Sequence, residues 1–593
     1  MSTPVASNHD HTGFQQRLGL FDATMLIVGT MIGSGIFVVS AEIARDVGCS
    51  GWLMAVWVAT GVMTVIGALS YAELAGMMPH AGGQYVFLRE AYSPLPGFLY
   101  GWTCFLVIQT GSIAAVAVVF AKYLGEFLPE PGTNYILREW RVNWRVPLPL
   151  PWLDTPLIIF KRDTFAITAG QLVAVAVIIF LSVLNCLGVR EGKWVQNIMT
   201  VTKSLALALL IVLGLTLAVD QQAIDANTAH PWEGMENSAR FQNVQKQVGD
   251  EPSTEWLVML MVAAAAMTGS MFAADAWNNI TFAAGEIKNP RRTLPLSLAL
   301  GTGSVIVLYL LANLAYLAVL PARGDGDLYN KIQSMEQRAA SLREGAAKLA
   351  RDAAKFAKNG DPVSSLAAFG LSKAVSDEAD AIDSEKEALL KQSSTYQRGV
   401  AFADDDRVGT AVIEKVSPRF GVSFMAAAIM ISTFGCVNGM ILMGARLYYA
   451  MARDQLFFRG AGLLNSRGVP AIGLIVQGLW AIVLVFSGSY GELLDFVMFT
   501  VILFYVLTVV GMFILRFRQP NAERPYRALG YPILPGLYVL ACATICVVLL
   551  IVKPENTWPG LILTLAGIPV YFFWKWRGKN QAPTPISGVE QGS

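Results

Sequence analysis

A cluster of glycine and serine interrupts the first long apolar run of the sequence. Gly29, Gly33, Ser34 and Gly35 fall within seven residues of one another, in a run that begins near Leu20. Each glycine costs about 1 kcal/mol relative to alanine in a helix interior, and a broken helix in a bilayer leaves backbone groups without partners. Half-helix ends suit an ionic ligand such as an amino-acid carboxylate. The alternative is close helix packing through small residues.

A later apolar run carries polar side chains near its middle. Asp275, Asn278 and Asn279 lie within the segment 267–281, which is otherwise apolar or small. Carboxylates and amides are expensive in a membrane span, so they face protein or a wet cavity. This run is the sixth and the glycine-rich run is the first, as a five-plus-five inverted repeat with two broken spans requires. Two interrupted spans at matching positions favour a binding site.

Lys203 is the third residue that could do chemistry. It lies about one third of the way into the fifth apolar run, in the sequence Val201-Thr202-Lys203-Ser204-Leu205. If its ammonium faces the break in span 1, it donates hydrogen bonds to the freed carbonyls and takes the place of a coupling cation. The alternative is a lysine that extends to the inner membrane interface.

The composition places these residues in a membrane. The chain has 593 residues, of which 54% are hydrophobic and 15% charged, whereas soluble proteins are about 25% charged. Recurrent apolar runs predict an all-α polytopic membrane protein. A net charge of +1 gives no case for nucleic acid. The four histidines lie outside the runs, and no metal-ligand or nucleophile–base set is present, so we expect no enzyme, cofactor or metal.

Twelve transmembrane helices are predicted. They cover about 20–44, 51–78, 96–128, 166–187, 195–219, 255–283, 295–320, 420–450, 469–488, 492–515, 532–553 and 557–575. Basic residues cluster in the connections that are internal when the N-terminus is inside, so both termini are expected in the cytoplasm. The loop 129–165 disagrees, because it is external in this scheme and yet basic. The two tails are then 1–19 and 577–593, and the spans fill 20–320 and 420–576.

The segment 321–419 is charged, rich in alanine and unlike a membrane span. An apolar heptad seam runs along its first half and continues weakly along its second; it consists of Leu328, Ile332, Met335, Ala339, Leu342, Ala346, Leu349, Ala353 and Phe356, then Leu371, Val375, Ile382 and Leu389. Gly360-Asp361-Pro362 separates the two parts. We predict an inserted extracytoplasmic helical hairpin. It is either a solvated spacer or a surface for self-association or for an external partner.

The loop 79–94 contains turn residues followed by an amphipathic piece, Tyr85-Val86-Phe87-Leu88-Arg89-Glu90. This pattern predicts a turn and a helix at the membrane interface.

Seven motifs, taken in order, resemble those of the amino acid–polyamine–organocation permeases, in their L-type (LAT-like) branch. They are Gly29–Phe37, Tyr71–Leu74, Gly82–Tyr85, Val195–Lys203, Phe272–Asn278, Glu286–Pro290 and Arg524–Arg527. The resemblance covers the twelve spans but not 321–419, and the loops 129–165 and 220–254 are unfamiliar. It implies the LeuT-like inverted repeat with broken helices 1 and 6.

The resemblance also implies a substrate site. Backbone amides of Ser34 and Gly35 would bind the substrate carboxylate, and backbone carbonyls of Met31, Phe272 and Asp275 would bind its ammonium. Broken helix ends supply N–H groups to an anion and C=O groups to a cation, which is consistent with this assignment.

Further roles follow from the same resemblance. Glycines such as Gly33 let the ligand approach the backbone. Phe272 resembles the family's gating aromatic, although an aromatic in a span can simply pack. Trp277 and Asn278 fall at pocket positions, where Asn278 could contact a polar substrate side chain. A lysine at the position of Lys203 replaces a sodium ion in this family, which implies sodium-independent transport.

Two departures from the family pattern matter. The loop 129–165 contains no cysteine, so we expect no disulfide-linked glycoprotein subunit. Asp275 stands where the animal L-type members carry glycine. It could attract a cationic side chain or the substrate ammonium, carry a coupling proton when protonated, or bond to unwound backbone amides, and the sequence leaves these three open.

The sequence thus predicts a secondary active amino-acid transporter of the cell (plasma) membrane. We expect a permease or exchanger that moves a neutral L-amino acid by alternating access without sodium. One alternative is a proton-coupled symporter that uses Asp275 or Glu73. The other is an amino-acid sensor that keeps the same binding site and signals through 321–419.

Overall fold

Long apolar helices dominate the structure, which is a computed structural model. It describes residues 16–128, 132–148, 157–249, 252–418, 421–486 and 490–579. The helices are α1 Leu20–Met31, α2 Gly35–Val47, α3 Ser50–Met77, α4 Gln84–Ala91, α5 Pro94–Thr103, α6 Gln109–Leu124, α7 Ala169–Leu187, α8 Val189–Thr216, α9 Gln221–Ala229, α10 Ala239–Val248, α11 Glu255–Ala273, α12 Pro290–Val319, α13 Gly326–Lys358, α14 Pro362–Gln392, α15 Thr395–Arg398, α16 Val408–Val416, α17 Gly421–Arg453, α18 Ala471–Val485, α19 Tyr490–Arg518, α20 Ile533–Val552, α21 Pro554–Leu565 and α22 Gly567–Lys579. A π-helical turn, Cys104–Ile108, joins α5 to α6, and a 3₁₀ segment, Trp277–Glu286, follows α11.

Every predicted span coincides with a helical segment. In the part of the chain that the structure describes, ten segments are long and apolar enough to cross a membrane, and the bent pair of α1 and α2 makes eleven. The span predicted over 469–488 corresponds to α18, which has only 15 residues and is shorter than the ~20 that a bilayer requires. A polytopic helical protein is therefore confirmed. The count of twelve and the inverted repeat stay predictions.

The loop predicted to join spans 3 and 4 contains β-structure, so the all-α prediction is wrong there. Strands β1 Ile136–Leu148 and β2 Leu157–Thr168 pair antiparallel. Aromatic and β-branched residues alternate with arginine along this stretch of sequence, which is a period-two pattern. The rings of Trp140 and Phe165 contact each other across the pair in a tilted arrangement, with centroids 5.6 Å apart. The unfamiliar segment 220–254 is also structured, because α9 and α10 lie within it.

The helix predicted at the membrane interface is buried in the bundle. In α4 the side chains of Gln84, Tyr85, Phe87 and Leu88 are all buried, and α4 packs against α5 and α19. The interfacial interpretation of 79–94 is therefore wrong. The amphipathic pattern was misread because both faces of α4 find protein partners.

The inserted segment forms the predicted helical hairpin, α13 and α14, which pack along each other. Its base is docked on the end of α2: the Tyr329 hydroxyl donates to the Arg45 carbonyl at 2.7 Å, and the Arg45 guanidinium pairs with Asp406. Gln337 bonds to Gln242 of α10. After the hairpin, α16 returns to pack on α2, α8 and α17.

The heptad seam is only partly correct. Ile332, Ala339, Ala346 and Ala353 are buried as predicted. Leu371, by contrast, is 54% exposed, as is Phe356 at 40%. The seam fails towards the end of the hairpin because serine and alanine, not the larger residues, face the partner helix there.

Tyr329→Phe is expected to loosen the base of the hairpin. The substitution removes one buried hydrogen bond to the carbonyl of Arg45 and keeps the ring, so the loss is about 1 kcal/mol. Faster proteolysis within 326–392 should accompany a small fall in thermal stability, measured on the solubilised full-length protein. Tyr396→Phe, near the base but at a more exposed site, is the control, and equal proteolysis of both variants would contradict the docking.

Candidate functional site

The first span breaks where the glycine-rich cluster predicts it. Helix α1 ends at Met31, α2 begins at Gly35, and their axes differ by 41°. Ile32 has an extended conformation between them (φ −73°, ψ 94°). A Cβ at Gly35 would lie 2.7 Å from the Cβ of Ala273. Glycine at this position therefore lets the start of α2 lie directly against the end of α11.

The sixth span breaks at the same level. Helix α11 ends at Ala273, and the 3₁₀ segment begins at Trp277 after Ala276, which adopts a left-handed conformation (φ 67°). The Thr30 hydroxyl of α1 lies 3.2 Å from the carbonyl oxygen of Ala276. The two breaks are therefore in contact, and both interruptions predicted from the sequence are present.

Lys203 points into the first break. Its side chain is buried, and its ammonium donates to the carbonyl oxygens of Gly29 at 2.5 Å, Ile32 at 2.6 Å and Ser432 at 3.3 Å. The lysine does not extend to the membrane interface in this structure. The Gly29 and Ile32 carbonyls are groups that the end of α1 leaves without helical partners, so Lys203 offsets the cost of the break.

Side chains from two other spans serve the remaining carbonyls of the break. The Tyr309 hydroxyl of α12 lies 2.9 Å from the Met31 oxygen and 3.1 Å from the Ala273 oxygen. The Ser432 hydroxyl of α17 lies 3.0 Å from the Gly33 oxygen. The Met31 carbonyl, which the sequence assigns to the substrate ammonium, thus already has a protein donor. A carbonyl has two lone pairs and can accept a second hydrogen bond.

The start of α2 provides the complementary charge. Ser34 is buried, and its hydroxyl has no hydrogen-bond partner among the described residues. The first amides of α2 follow it and have no acceptor within the helix, which places partial positive charge at this point. A polar hydroxyl and a helix N-terminus thus lie next to the carbonyls of the break, so opposite partial charges meet at this point.

Phe272 and Asp275 lie on the other side of the contact between the breaks. The Phe272 carbonyl accepts from the Asp275 amide at 3.2 Å, and the Phe272 side chain is half-buried. The Asp275 carboxylate accepts a hydrogen bond from the Tyr505 hydroxyl of α19. The carboxylate is therefore held by a side chain and not only by unwound backbone.

A small polar cavity adjoins Asp275. Its volume is about 20 Å³, and its lining includes Gln84, Gln109, Ser112, Asp275, Asn278 and Tyr505. Such a volume holds about one water molecule, so the site is closed in this state. The Asn278 side-chain amide donates to Gln84 at 3.0 Å, and Gln84 donates to Thr508 at 2.9 Å.

The sequence did not identify Tyr309, Ser432, Tyr505 and Gln109 as parts of the site. Single polar residues in apolar spans give no periodic signal, and their partners come from distant parts of the chain. Gln84 could have been found, since it belongs to the Gly82-Gly83-Gln84-Tyr85 motif. Its helix was placed at the interface instead.

Glu73, the other carboxylate considered for proton coupling, is fully engaged elsewhere. It is buried and accepts from Arg516 at 2.5 Å and from the Ala528 amide at 2.6 Å, with Arg524 at 3.4 Å. Two guanidinium groups and a backbone amide already occupy both oxygens of this carboxylate. Glu73 therefore ties α3 to α19 and the loop that follows α19.

Gly35→Ala is expected to impair the site. The added methyl group would lie 2.7 Å from the Cβ and 2.9 Å from the Cα of Ala273, so α2 must move away from α11. Overpacking of this kind costs about 1–3 kcal/mol, and uptake should fall strongly at equal protein level. Gly303→Ala in α12, where nothing lies within 4 Å, is the control. Normal uptake by the Gly35 variant would show that the contact between the breaks is not needed.

Comparison with known proteins identifies the family of this chain. The amino acid permease family model matches residues 18–337 and 394–573 and leaves out most of α13 and α14. The chain is 26% identical over 567 residues to the human b(0,+)-type amino acid transporter 1, covering 95% of this chain and 88% of that protein. It is 26% identical over 581 residues to the mouse large neutral amino acids transporter small subunit 2, covering 97% and 84%. The chain belongs to the amino acid permease family, in its L-type branch.

Proposed function

We propose that this amino acid permease is a sodium-independent exchanger that moves a neutral L-amino acid by alternating access. The observation that carries the proposal is the Lys203 ammonium on the carbonyls of Gly29 and Ile32. Carbonyls freed at a broken span are the groups that coordinate a coupling cation in transporters of this architecture. A fixed ammonium supplies that charge permanently, so transport needs no sodium ion.

The substrate backbone is assigned to the contact between the two breaks. The Ser34 and Gly35 amides bind the carboxylate, and the Met31, Phe272 and Asp275 carbonyls bind the ammonium. The cavity beside Asp275 is too small for an amino acid, so binding requires a more open state. Phe272 is half-buried at the end of α11, which is consistent with a gate that closes over the ligand.

Proton symport is the second candidate, and one observation favours Asp275 as its coupling group. Glu73 is held by arginines, whereas Asp275 is half-buried beside a polar cavity with a hydroxyl as its partner. A carboxyl group in that setting can exchange a proton with little rearrangement. The sensor hypothesis, in contrast, predicts binding of the amino acid by the same residues without transport across the membrane.

Uptake into sodium-free proteoliposomes separates these candidates. Labelled amino acids are added at equal pH to vesicles that are either empty or preloaded with unlabelled amino acid. Exchange predicts uptake into the preloaded vesicles alone. Uptake into empty vesicles that grows with an inward proton gradient would establish symport, and binding without uptake would support the sensor.

The protein partners, the membrane and the orientation of the chain are also parts of this proposal. The word "subunit" in the name of the mouse relative implies a second chain for that protein. The expectation that this chain lacks a disulfide-linked glycoprotein rests on the absence of cysteine from 129–165 and stays a prediction. The same holds for the plasma membrane and for the cytoplasmic location of both termini.

A further inference from the structure

The distal part of the inserted hairpin, residues 346–376, has its large apolar side chains on the outside. Val363, Leu366 and Phe369 are 78%, 75% and 60% exposed. The side of α14 that faces α13 carries small residues instead, and the Ser372 hydroxyl donates to the Ala346 carbonyl at 2.7 Å. We call the exposed set, with Phe356 and Leu371, the tip surface. Small residues therefore make much of the contact between the helices here, and Val363, Leu366 and Phe369 are left mostly exposed.

The apolar surface is confined to this end. Farther along the same side of α14, the exposed positions are Ala381, Glu385 and Ala388. Helical periodicity would place large apolar residues there too if the hairpin were simply hydrophobic. The distribution therefore indicates a contact made by the tip alone.

Charge is segregated along the hairpin in the same way. The distal part has five basic residues and two acidic ones, net +3; they are Lys348, Arg351, Lys355, Lys358 and Lys373, with Asp352 and Asp361. The stretch 377–392 of α14 has six acidic residues and two basic ones, net −4. Apolar side chains surrounded by lysine and arginine are typical of segments that bind anionic lipid. Two copies that met tip to tip would bring like charges together.

The length of the hairpin sets how far its tip lies from the transport bundle. Gln337 of α13 bonds to Gln242 of α10, and Gly360 at the turn lies 23 residues beyond it. At 1.5 Å per residue the tip extends roughly 35 Å from that anchor, several times the Debye length of about 8 Å. The stretch 377–392 keeps a net negative charge, although Glu378, Asp380 and Asp383 pair with Arg338 and Arg343 of α13. An anionic bilayer therefore attracts the tip and not the base.

We propose that the tip surface binds an anionic lipid surface that faces the membrane in which the protein sits. The apolar side chains enter the headgroup region, and the surrounding basic residues pair with lipid phosphates. This inference uses none of the substrate-site residues, so it stands or falls independently of the transport proposal.

Vesicle tethering by the full-length protein tests the proposal. The protein is reconstituted into phosphatidylcholine vesicles with the hairpin outside, and acceptor vesicles contain either phosphatidylglycerol or phosphatidylcholine alone. Tethering, followed by light scattering, is expected only with phosphatidylglycerol. Leu366→Ser with Phe369→Ser should reduce it to background, whereas Ala381→Ser with Ala388→Ser, on the same side of α14, should leave it unchanged. Amino-acid uptake should be equal in both variants.

Charge variants give the second readout. Lys355→Glu with Lys358→Glu should weaken tethering about fivefold for each basic charge removed and reduce its salt dependence. Three results would overturn the proposal. They are equal tethering of phosphatidylcholine acceptors, a dimer in detergent that the Leu366 and Phe369 substitutions dissociate, and a fluorophore at Ser364 that reports burial in the protein's own bilayer without acceptors.

Discussion

Lys203→Met abolishes uptake and lowers the stability of the solubilised protein. Methionine has a similar length but no donor, so the Gly29 and Ile32 carbonyls lose partners at 2.5 Å and 2.6 Å in a site that water does not reach. A buried acceptor left unsatisfied costs about 1–3 kcal/mol. The Ile32 carbonyl keeps the Ser432 hydroxyl as a donor at 3.1 Å, so one acceptor, the Gly29 carbonyl, is left unsatisfied and the free energy of unfolding should fall by about 1–3 kcal/mol. The break then either closes into a continuous helix or becomes mobile, and both outcomes remove the substrate site.

The test compares uptake in proteoliposomes with the thermal unfolding of the purified variant. Thr202→Ala, one residue earlier on the exposed side of α8, controls for changes in that helix and should resemble wild type. Added sodium should not restore uptake to the methionine variant if the ammonium is part of the fold of the break. Normal sodium-free uptake by Lys203→Met would refute the role that we assign to this lysine.

The main features of the site could be predicted because the sequence shows residues that are energetically unfavourable in a membrane helix. Glycines within an apolar run, a carboxylate in a later run and a lysine inside a span are each unfavourable unless a binding site uses them. The donors that complete the site, Tyr309 and Ser432, carry no such cost, since hydroxyl groups are common in membrane helices. Their roles depend on which spans become neighbours, and one sequence does not contain that information.

The same is true of the fold: features that depend on neighbouring residues in the sequence could be predicted, and features that depend on distant contacts could not. Span positions follow from hydropathy, and the hairpin turn follows from Gly360-Asp361-Pro362. The strands β1 and β2 do not follow from the charge of the loop, and only the alternation of aromatic and β-branched residues with polar ones indicates them. The heptad seam was extended to Leu371 because apolar spacing alone cannot tell a buried side of a helix from an exposed one.

Asp275→Asn separates the charge of this side chain from its hydrogen bond. Asparagine can still accept a hydrogen bond from the Tyr505 hydroxyl, so the break should keep its geometry and the protein its stability. What is lost is a negative charge beside the carbonyls assigned to the substrate ammonium. A hydrogen bond to a charged group contributes about 1.5–3 kcal/mol. We therefore expect KM to rise by about ten- to a hundredfold with little change in the maximal rate.

The pattern across substrates then assigns the role of the carboxylate. If the charge serves only the substrate ammonium, the affinity for leucine, measured by uptake, and that for lysine, measured by its inhibition of leucine uptake, fall by the same factor. A larger loss for lysine means that Asp275 also faces the substrate side chain. Tyr505→Phe, which removes the hydroxyl and keeps the charge, should alter KM less than Asp275→Asn does. Exchange further predicts that a proton gradient stimulates neither protein. A gradient-driven accumulation that wild type shows and Asp275→Asn lacks would instead make Asp275 the proton-coupling group, because only a carboxyl group at this position can carry the proton.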